Sequence, residues 1–374
     1  MTSLASICRA LSLSLGALFL STASQAQIVI GQSSGFTGPV SAGVKENTIG
    51  ATLYIDHVNA TGGVAGQRLD LVSLDDKFDP KLTVVNARKL ITEHKAIALF
   101  LIRGTPHTQA VMPLLDEFKV PLVAPSTGAM LLHKPVNPWI FNVRATYQRE
   151  SEKAITHLAT IGLTRIALVH VDDTFGEDCA TGARKGFEGA KLDPLFVEKF
   201  DRVKSDFSVI AKKAASMEAQ AVMFIGSAGA VSEGTKVIRN AGSRAQIVTV
   251  SNNASGGFIK MLGEHSRGVI VTQIFPYERS LSAPIVKEAF DLARAKGMTE
   301  VTPAMLEGFA GAKVLVEGLR RAGANPTRAS LRQAMETFRK VDIGGLEVTY
   351  TAGNHSGLDY ADLSIIGQDG KFRR

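Results

Sequence analysis

Only two cysteines occur in the 374 residues, Cys8 and Cys179. Cys8 lies in a segment expected to be removed, so a single thiol remains and an intramolecular disulfide is excluded. A chain of this size buries enough apolar surface to fold without one, and Cys179 reads as a buried apolar residue. Tryptophan occurs once and aromatic residues make up 6%. Catalytic signatures are scarce too. There is no HExxH pair, no CxxC and no GxxxxGK[ST] phosphate loop. The eight histidines are scattered. The closest approach to a metal set is His170, Asp172 and Asp173 at the end of a strand, where adjacent side chains point to opposite faces. Nothing here supports an enzyme, a metal or a cofactor.

Basic residues are in excess, with a formal charge of +7 that becomes +6 without Arg9, and the sequence pI is about 9.3. Such values invite a nucleic-acid reading, but the distribution opposes it. Cations alternate with acids along helices (Lys45 with Glu46, Arg149 with Glu150, Glu188 with Lys191), and no basic block carries interleaved aromatics. Solvated helix faces account for the charge, and no nucleic-acid partner is expected.

Long hydrophobic runs are missing after the first 26 residues. Met1 to Ala26 has one charge at Arg9, an apolar core from Ala10 to Leu20 and small residues at Ser24 and Ala26, the layout of a cleavable secretory signal. That core is about eleven residues, short of the roughly twenty that a membrane span needs. No cysteine stands at the cleavage point to carry a lipid. The expected product is a free periplasmic protein beginning near Gln27. Its 348 residues exceed what a single core usually holds, so two lobes are expected.

What the chain does contain is an alternation of short apolar runs with helical segments. Ile28–Ile30 is strand-like, Gly35, Gly38 and Pro39 break the period, and Ala51, Leu53, Ile55 and Val58 then recur at helical spacing. Gly62 and Gly63 stop that helix, Leu69–Leu74 returns as a strand, and Asp79 with Pro80 opens the next helix. Similar strands are expected at Ala96–Ile102, Val120–Ala124, Ile140–Val143, Ile166–Val171, Leu195–Phe200, Ala221–Ile225, Ile247–Val250 and Val269–Gln273. This is the pattern of parallel sheets covered on both faces. Extended crossings near Phe141–Thr146, Val269–Pro276 and Leu346–Asn354 imply two α/β lobes, doubly wound and built from discontinuous segments. The expected lobes are 27–145 plus 276–347 and 146–275 plus 348–374.

In such folds ligands sit beyond the carboxyl ends of the strands. There the chain offers Arg103 to Gln109 with Thr105 at a helix start, and Ser126, Thr127 and Gly128 in the next loop. Free N–H groups and a helix dipole favour an anion at that place. The plainer alternative is that Thr105 and Ser126 cap their helices. On the other half, Phe175 beside Gly176, the loop around Ser227 and Ser251–Asn253 follow strand ends. Phe175 would cover a ligand or sit in the core. Arg103 would pair bidentately with a carboxylate if turned inward, or be solvated if turned outward.

The runs GFTGP, GATLYIDHVNATGGVAGQRLDLVSLDD and FDP resemble the first lobe of type I periplasmic binding proteins, in the leucine/isoleucine/valine-binding branch. The likeness continues to the C-terminus. It implies two lobes joined by a three-strand hinge with a ligand cleft between them, in a substrate-binding protein of an ABC importer, a monomer that closes over its solute and delivers it to an inner-membrane permease. In the resembling family the matching loops hold the ligand carboxylate, which assigns that part to Thr105, Ser126 and Gly128. The chain departs from the pattern at several places. Gly128 stands where the branched-chain binders have a hydroxyl residue, Gly43 where they have an aromatic, and Phe175 where a tyrosine is usual. The two glycines are expected to enlarge the pocket wall. The acid that pairs with a ligand ammonium is missing near Ser251 and Asn252, with Asp173 or Glu278 as substitutes from neighbouring loops. The implied ligand is a branched-chain or other hydrophobic amino acid; the alternatives are an amine-free aromatic or short-chain acid, or a sensory role at a membrane receptor.

Overall fold

The computed structural model describes residues 27–374; the expected secretion signal lies outside the described residues. The first sheet is built from β1 (Gln27–Ser34), β2 (Arg68–Asp75), β3 (Ala98–Phe100), β4 (Leu122–Val123) and β5 (Ile140–Phe141), all parallel in the order β2-β1-β3-β4-β5. Helices α1 (Ser41–Ala60), α2 (Pro80–Thr92) and α3 (Thr105–Phe118) connect them. As expected, Asp79 caps α2 by accepting from the Lys81 N–H, with Pro80 in the first turn.

The second sheet follows α4 (Tyr147–Thr160). It consists of β6 (Ile166–Val171), β7 (Val197–Phe200), β8 (Ala221–Ile225), β9 (Gln246–Thr249) and β10 (Ile270–Gln273), linked by α5 (Thr174–Ala190), α6 (Ser208–Ser216), α7 (Ala228–Asn240) and α8 (Gly256–Leu262). β6 and β8 are buried along their whole length, as strands covered on both faces must be. The chain then returns to the first lobe with α9 (Pro284–Ala295), α10 (Pro303–Arg321), α11 (Arg328–Met335) and the hairpin β11 (Val341–Asp342) and β12 (Glu347–Val348). Last come β13 (Asp362–Ile366) and β14 (Phe372–Arg373), antiparallel additions at the β10 edge.

The chain thus passes between the lobes three times. The last passage differs from the expected boundary at 347/348. Val348, Tyr350 and Leu358 pack in the core of the first lobe, and the Tyr350 hydroxyl donates to the Asn142 carbonyl at 2.7 Å. The crossing therefore falls after Leu358. A short run of polar and glycine residues, GNHSG, hides this because it leaves a tight turn closed by the Thr351–Asn354 bridge and joins no sheet; it meets the first crossing through the Asn142–Ser356 bridge.

Helix α10 is buried over most of its length, with its charges beyond Glu307 confined to Lys313, Glu317, Arg320 and Arg321 in its second half. It crosses α1 at van der Waals distance. A Cβ on Gly50 would stand 1.8 Å from the Met305 carbonyl oxygen, and one on Gly308 would stand 1.8 Å from that of Asn47. This close crossing brings Asn47 and Glu307 to the end of β4, where the candidate site begins.

Candidate functional site

Strands β3 and β4 end in left-handed residues, Leu101 with φ 51° and Ala124 with φ 51°. For residues with a side chain this conformation is costly and needs support from its surroundings. Beyond the kinks the two loops run together again as an Arg103–Ser126 parallel bridge. Arg103 and Ser126 are thereby set side by side at the carboxyl edge of the first sheet.

The facing loops of the two lobes touch. The Gly229 N–H donates to the Pro39 carbonyl at 3.2 Å. Glu46 of α1 accepts from the Gly256 and Gly257 N–H groups at 3.0 and 2.8 Å. The Arg103 guanidinium donates to the Asn252 carbonyl. Between these contacts lies a cavity of about 20 Å³, bordered by Arg103, Thr105, Ser126, Phe175, Ser227 and Asn252, together with Val40, Phe78, Tyr147 and Arg202. That space holds about one water molecule. The lobes are shut.

Six of the eight residues named from the sequence border this cavity. Thr127 and Gly128 do not. Thr127 is buried behind Thr105, their hydroxyls 2.7 Å apart. A Cβ on Gly128 would meet the Ala145 carbonyl at 2.5 Å. The expected enlargement of the wall is therefore a correction. Gly128 is glycine because backbone lies against it, and the niche at Gly43 is filled by the Arg103 guanidinium, whose Nη2 would be 3.3 Å from an added Cβ.

The capping alternative also resolves. No side chain caps α3, and Gly104 precedes it with φ 99°. Ser126 caps nothing. Its hydroxyl donates to Glu307 at 3.0 Å and accepts from Arg103 and Asn47, each at 3.3 Å. Its proton is committed to Glu307, which leaves Arg103 as the strong donor on that wall. Ser227 does cap α7, accepting from the Ala230 N–H. Phe175 is buried in the core of the second lobe and packs edge to face on Tyr147 with centroids 4.9 Å apart, while one side still meets the cavity.

Neither substitute acid serves the cleft. Asp173 is spent at the start of α5, accepting from the Phe175 and Gly176 N–H groups at 2.9 and 3.1 Å and pairing with Arg202. Asp172 pairs with Lys199, and His170 Nδ1 lies 3.0 Å from the Val171 carbonyl. Among the described residues no group of three acidic, histidine or cysteine side chains could hold a metal. Glu278 lines a different cavity altogether. No acid borders the cleft cavity, and two cations do.

Glu278 carries its own consequence. Burial pushes its carboxyl up from 4.5 to about 7, against its own backbone N–H and the charges of Arg374 and Arg279, with Glu300 adding to the rise. The folded state therefore holds this proton more tightly than the unfolded chain. The stability it contributes is complete below about pH 4.5 and is lost as pH rises through about 7. Urea midpoints are expected to fall from about pH 5 to about pH 8, and Glu278→Gln is expected to flatten that part of the profile; an identical slope in the variant would refute the assignment.

Several residues that shape the site escaped the sequence reading. Arg202 lies over the Phe78 ring at 5.1 Å, and His107 stacks on the other contact of that ring at 4.2 Å, its imidazole pushed down to about 4 by burial. Beneath the cavity Arg144 joins Glu150 and Glu307 and stacks over Tyr147 at 4.5 Å. Burial pushes the Tyr147 hydroxyl up to about 12. A lone arginine or glutamate among many gives no sequence signal; the one available clue was Glu307 in the otherwise uncharged first half of α10. The run Gly31–Gly35 fits a GxSxG spacing, yet all of it but Gly35 lies within β1, and Ser33 is buried and donates to Asp76 at 3.1 Å. A nucleophile of that motif sits on the sharp turn between strand and helix, whereas Ser33 is held inside the strand.

Among the described residues no helix is long and apolar enough to cross a membrane. A family model for periplasmic binding proteins matches residues 27–365. The chain is 23% identical over 338 residues to the Leu/Ile/Val-binding protein homolog 3 of Brucella melitensis, covering 88% of this chain and 89% of that one. It is 24% identical over 304 residues to the leucine-, isoleucine-, valine-, threonine-, and alanine-binding protein of Pseudomonas aeruginosa, covering 81% and 80%. Among solved structures, a substrate-binding periplasmic protein from Ralstonia solanacearum superposes with a TM-score of 0.84 at 29% identity, over 92% of this chain and 99% of that one. A leucine-binding protein from Thermotoga maritima shares the fold, with a TM-score of 0.82 at 18% identity over 93% and 98%. The match runs through both lobes and all three crossings, so the chain belongs to the periplasmic binding protein family, in its type I branch resembling the Leu/Ile/Val-binding proteins.

Proposed function

We propose that this protein is the substrate-binding component of an ABC importer, located in the periplasm, and that it captures a small carboxylate lacking an amine in the cleft between its lobes. One observation carries the reading: the cleft presents the Arg103 guanidinium, with Arg202 nearby, and no acid. A buried ammonium without a carboxylate partner is costly, and beside the Arg103 guanidinium more so. A carboxylate there would instead take the donors that Arg103 now spends on Ser126 and the Asn252 carbonyl. Arg103 is one of the links between the lobes, so a solute that takes its place as a bridge favours the closed form by its own differential affinity. The permease reads that form. The protein works as a monomer and as a binder, not a catalyst. Branched-chain amino acids are supported by the relatives' names, and the test separates the two.

Thermal melts with benzoate and 4-methyl-2-oxopentanoate should show midpoints raised by several degrees, and L-leucine should leave them unchanged. Leucine alone shifting the melt would restore the amino-acid reading, and no shift from any acid would sink the carboxylate reading. Arg103→Gln should weaken acid binding by about 1.5–3 kcal/mol, the range for a hydrogen bond to a charged group. Thr105→Val removes a hydroxyl that borders the cavity, and calorimetric titration should show a loss on the order of 1 kcal/mol. Unchanged affinity would leave Thr105 only its bond to Thr127.

A further inference from the structure

A second cavity, of about 310 Å³, lies outside the cleft, where α8 and the β13–β14 end of the second lobe meet the second crossing and the α9–α10 connection of the first. Its volume falls in the range of small-molecule sites, roughly 300–1,000 Å³. The wall is mainly hydrocarbon: Ile259, Leu281, Phe290, Val301 and Phe372. Set into it is Glu278, only 6% exposed. Its Oε2 is buried and has no hydrogen-bond partner among the described residues. Arg279, Glu300 and Lys371 line the cavity as exposed residues, so water competes for their charges. Arg374, the remaining cation that acts on Glu278, is engaged with Asp362 and the Phe275 carbonyl.

We propose that this cavity is a second ligand site, which takes a small amine with an apolar body, the ammonium pairing with Glu278 and the body filling the space between Ile259, Phe290 and Phe372. A buried carboxylate oxygen without a donor is costly, and a ligand that brings both a donor and the opposite charge removes that cost. A neutral alcohol brings only the donor. Burial alone favours the protonated Glu278 carboxyl, and a bound ammonium would hold it ionised, so amine binding is coupled to loss of that proton and strengthens as pH rises. The site has a structural consequence. Ile259 and Phe372 belong to the second lobe, Phe290 and Val301 to the first, and Gly256 on the same wall donates its N–H to Glu46 across the closure. An amine held between these walls favours the closed arrangement, and by linkage closure favours the amine.

The test uses the full chain and 2-phenylethylamine as probe, followed by titration calorimetry at pH 8. Saturable one-site binding is expected. Glu278→Gln should weaken it on the order of thirtyfold, as for loss of one partner in a buried charge pair. Leu281→Trp, at an exposed position on the cavity mouth, should block entry while leaving the melting midpoint unchanged. 2-Phenylethanol should bind far more weakly than the amine. Absence of saturable binding, equal affinity in Glu278→Gln or equal affinity for the alcohol would each overturn the proposal. Leu281→Trp also separates this site from the cleft, which Leu281 does not border: amine binding lost in that variant supports the second site, and binding that persists in it places the amine elsewhere and overturns the proposal.

Discussion

Arg144→Leu is expected to cost about 3–5 kcal/mol of folding free energy, the range for breaking a buried ion pair from one side. Arg144 lies in the first crossing and is 2% exposed. Its guanidinium serves Glu150 of α4, Glu307 of α10 at 3.4 Å and the Ser251 hydroxyl at 2.7 Å. Glu150 in turn accepts from the Ser251 N–H at 2.9 Å and from Thr272. Leucine would leave two buried carboxylates with no counter-charge. Urea unfolding measures the loss through the midpoint at constant slope. A decrease below about 1 kcal/mol would mean that water or a neighbouring cation replaces the guanidinium. The companion variant decides the cause. Adding Glu150→Leu to Arg144→Leu removes one of the stranded charges, so it should recover part of the loss; a double variant as unstable as the sum of the singles would show that packing, not charge, was lost.

Gly308→Ala is expected to destabilise by about 3 kcal/mol, at or beyond the upper end of ordinary overpacking. The added methyl would stand 1.8 Å from the Asn47 carbonyl. That neighbour is backbone in the middle of α1 and cannot rotate away, so the two helices must part. Parting them also separates Asn47 from Glu307, the two residues that flank the Ser126 hydroxyl. Acid binding should therefore fall together with stability. Gly189→Ala in α5 is the control, because a Cβ there meets nothing within 4 Å; it should be neutral or stabilise by up to about 1 kcal/mol through helix propensity. Gly308→Ala within about 0.5 kcal/mol of the parent protein would disprove the close crossing.

The loops that form the cleft were legible because their position follows from local order alone. Strand, glycine or hydroxyl loop, then helix is enough to place Thr105, Ser126, Ser227 and Asn252 at the carboxyl ends of strands, whatever the rest of the chain does. The direction of a side chain within such a loop was not legible. Arg103 had an inward and an outward reading, the outward being the commoner fate of an arginine; left-handed kinks at Leu101 and Ala124 and the open niche at Gly43 turn it inward. Gly43 and Gly128 show the same limit from the other side. A missing side chain suggests space, yet one position is filled by a residue sixty places away and the other by the backbone of the first crossing. Glu278 stood near Asn252 in the order of loops and nevertheless opens on a separate cavity, because the second crossing carries it past the cleft.

The sequence by itself determined the two α/β lobes, the alternation of strands and helices, and the polar loops at the strand ends, since each rests on periodicity and turn chemistry within about a dozen residues. The tertiary structure alone decided which charges meet. Arg144 with Glu150 and Glu307, Arg103 with the Asn252 carbonyl, and Arg202 with Asp173 are pairs drawn from different elements. The strength of a charge pair depends on separation and burial, and neither is a local property of the chain. For this reason the binding chemistry of the cleft, a wall with arginine and without acid, emerged only when the lobes were folded against each other.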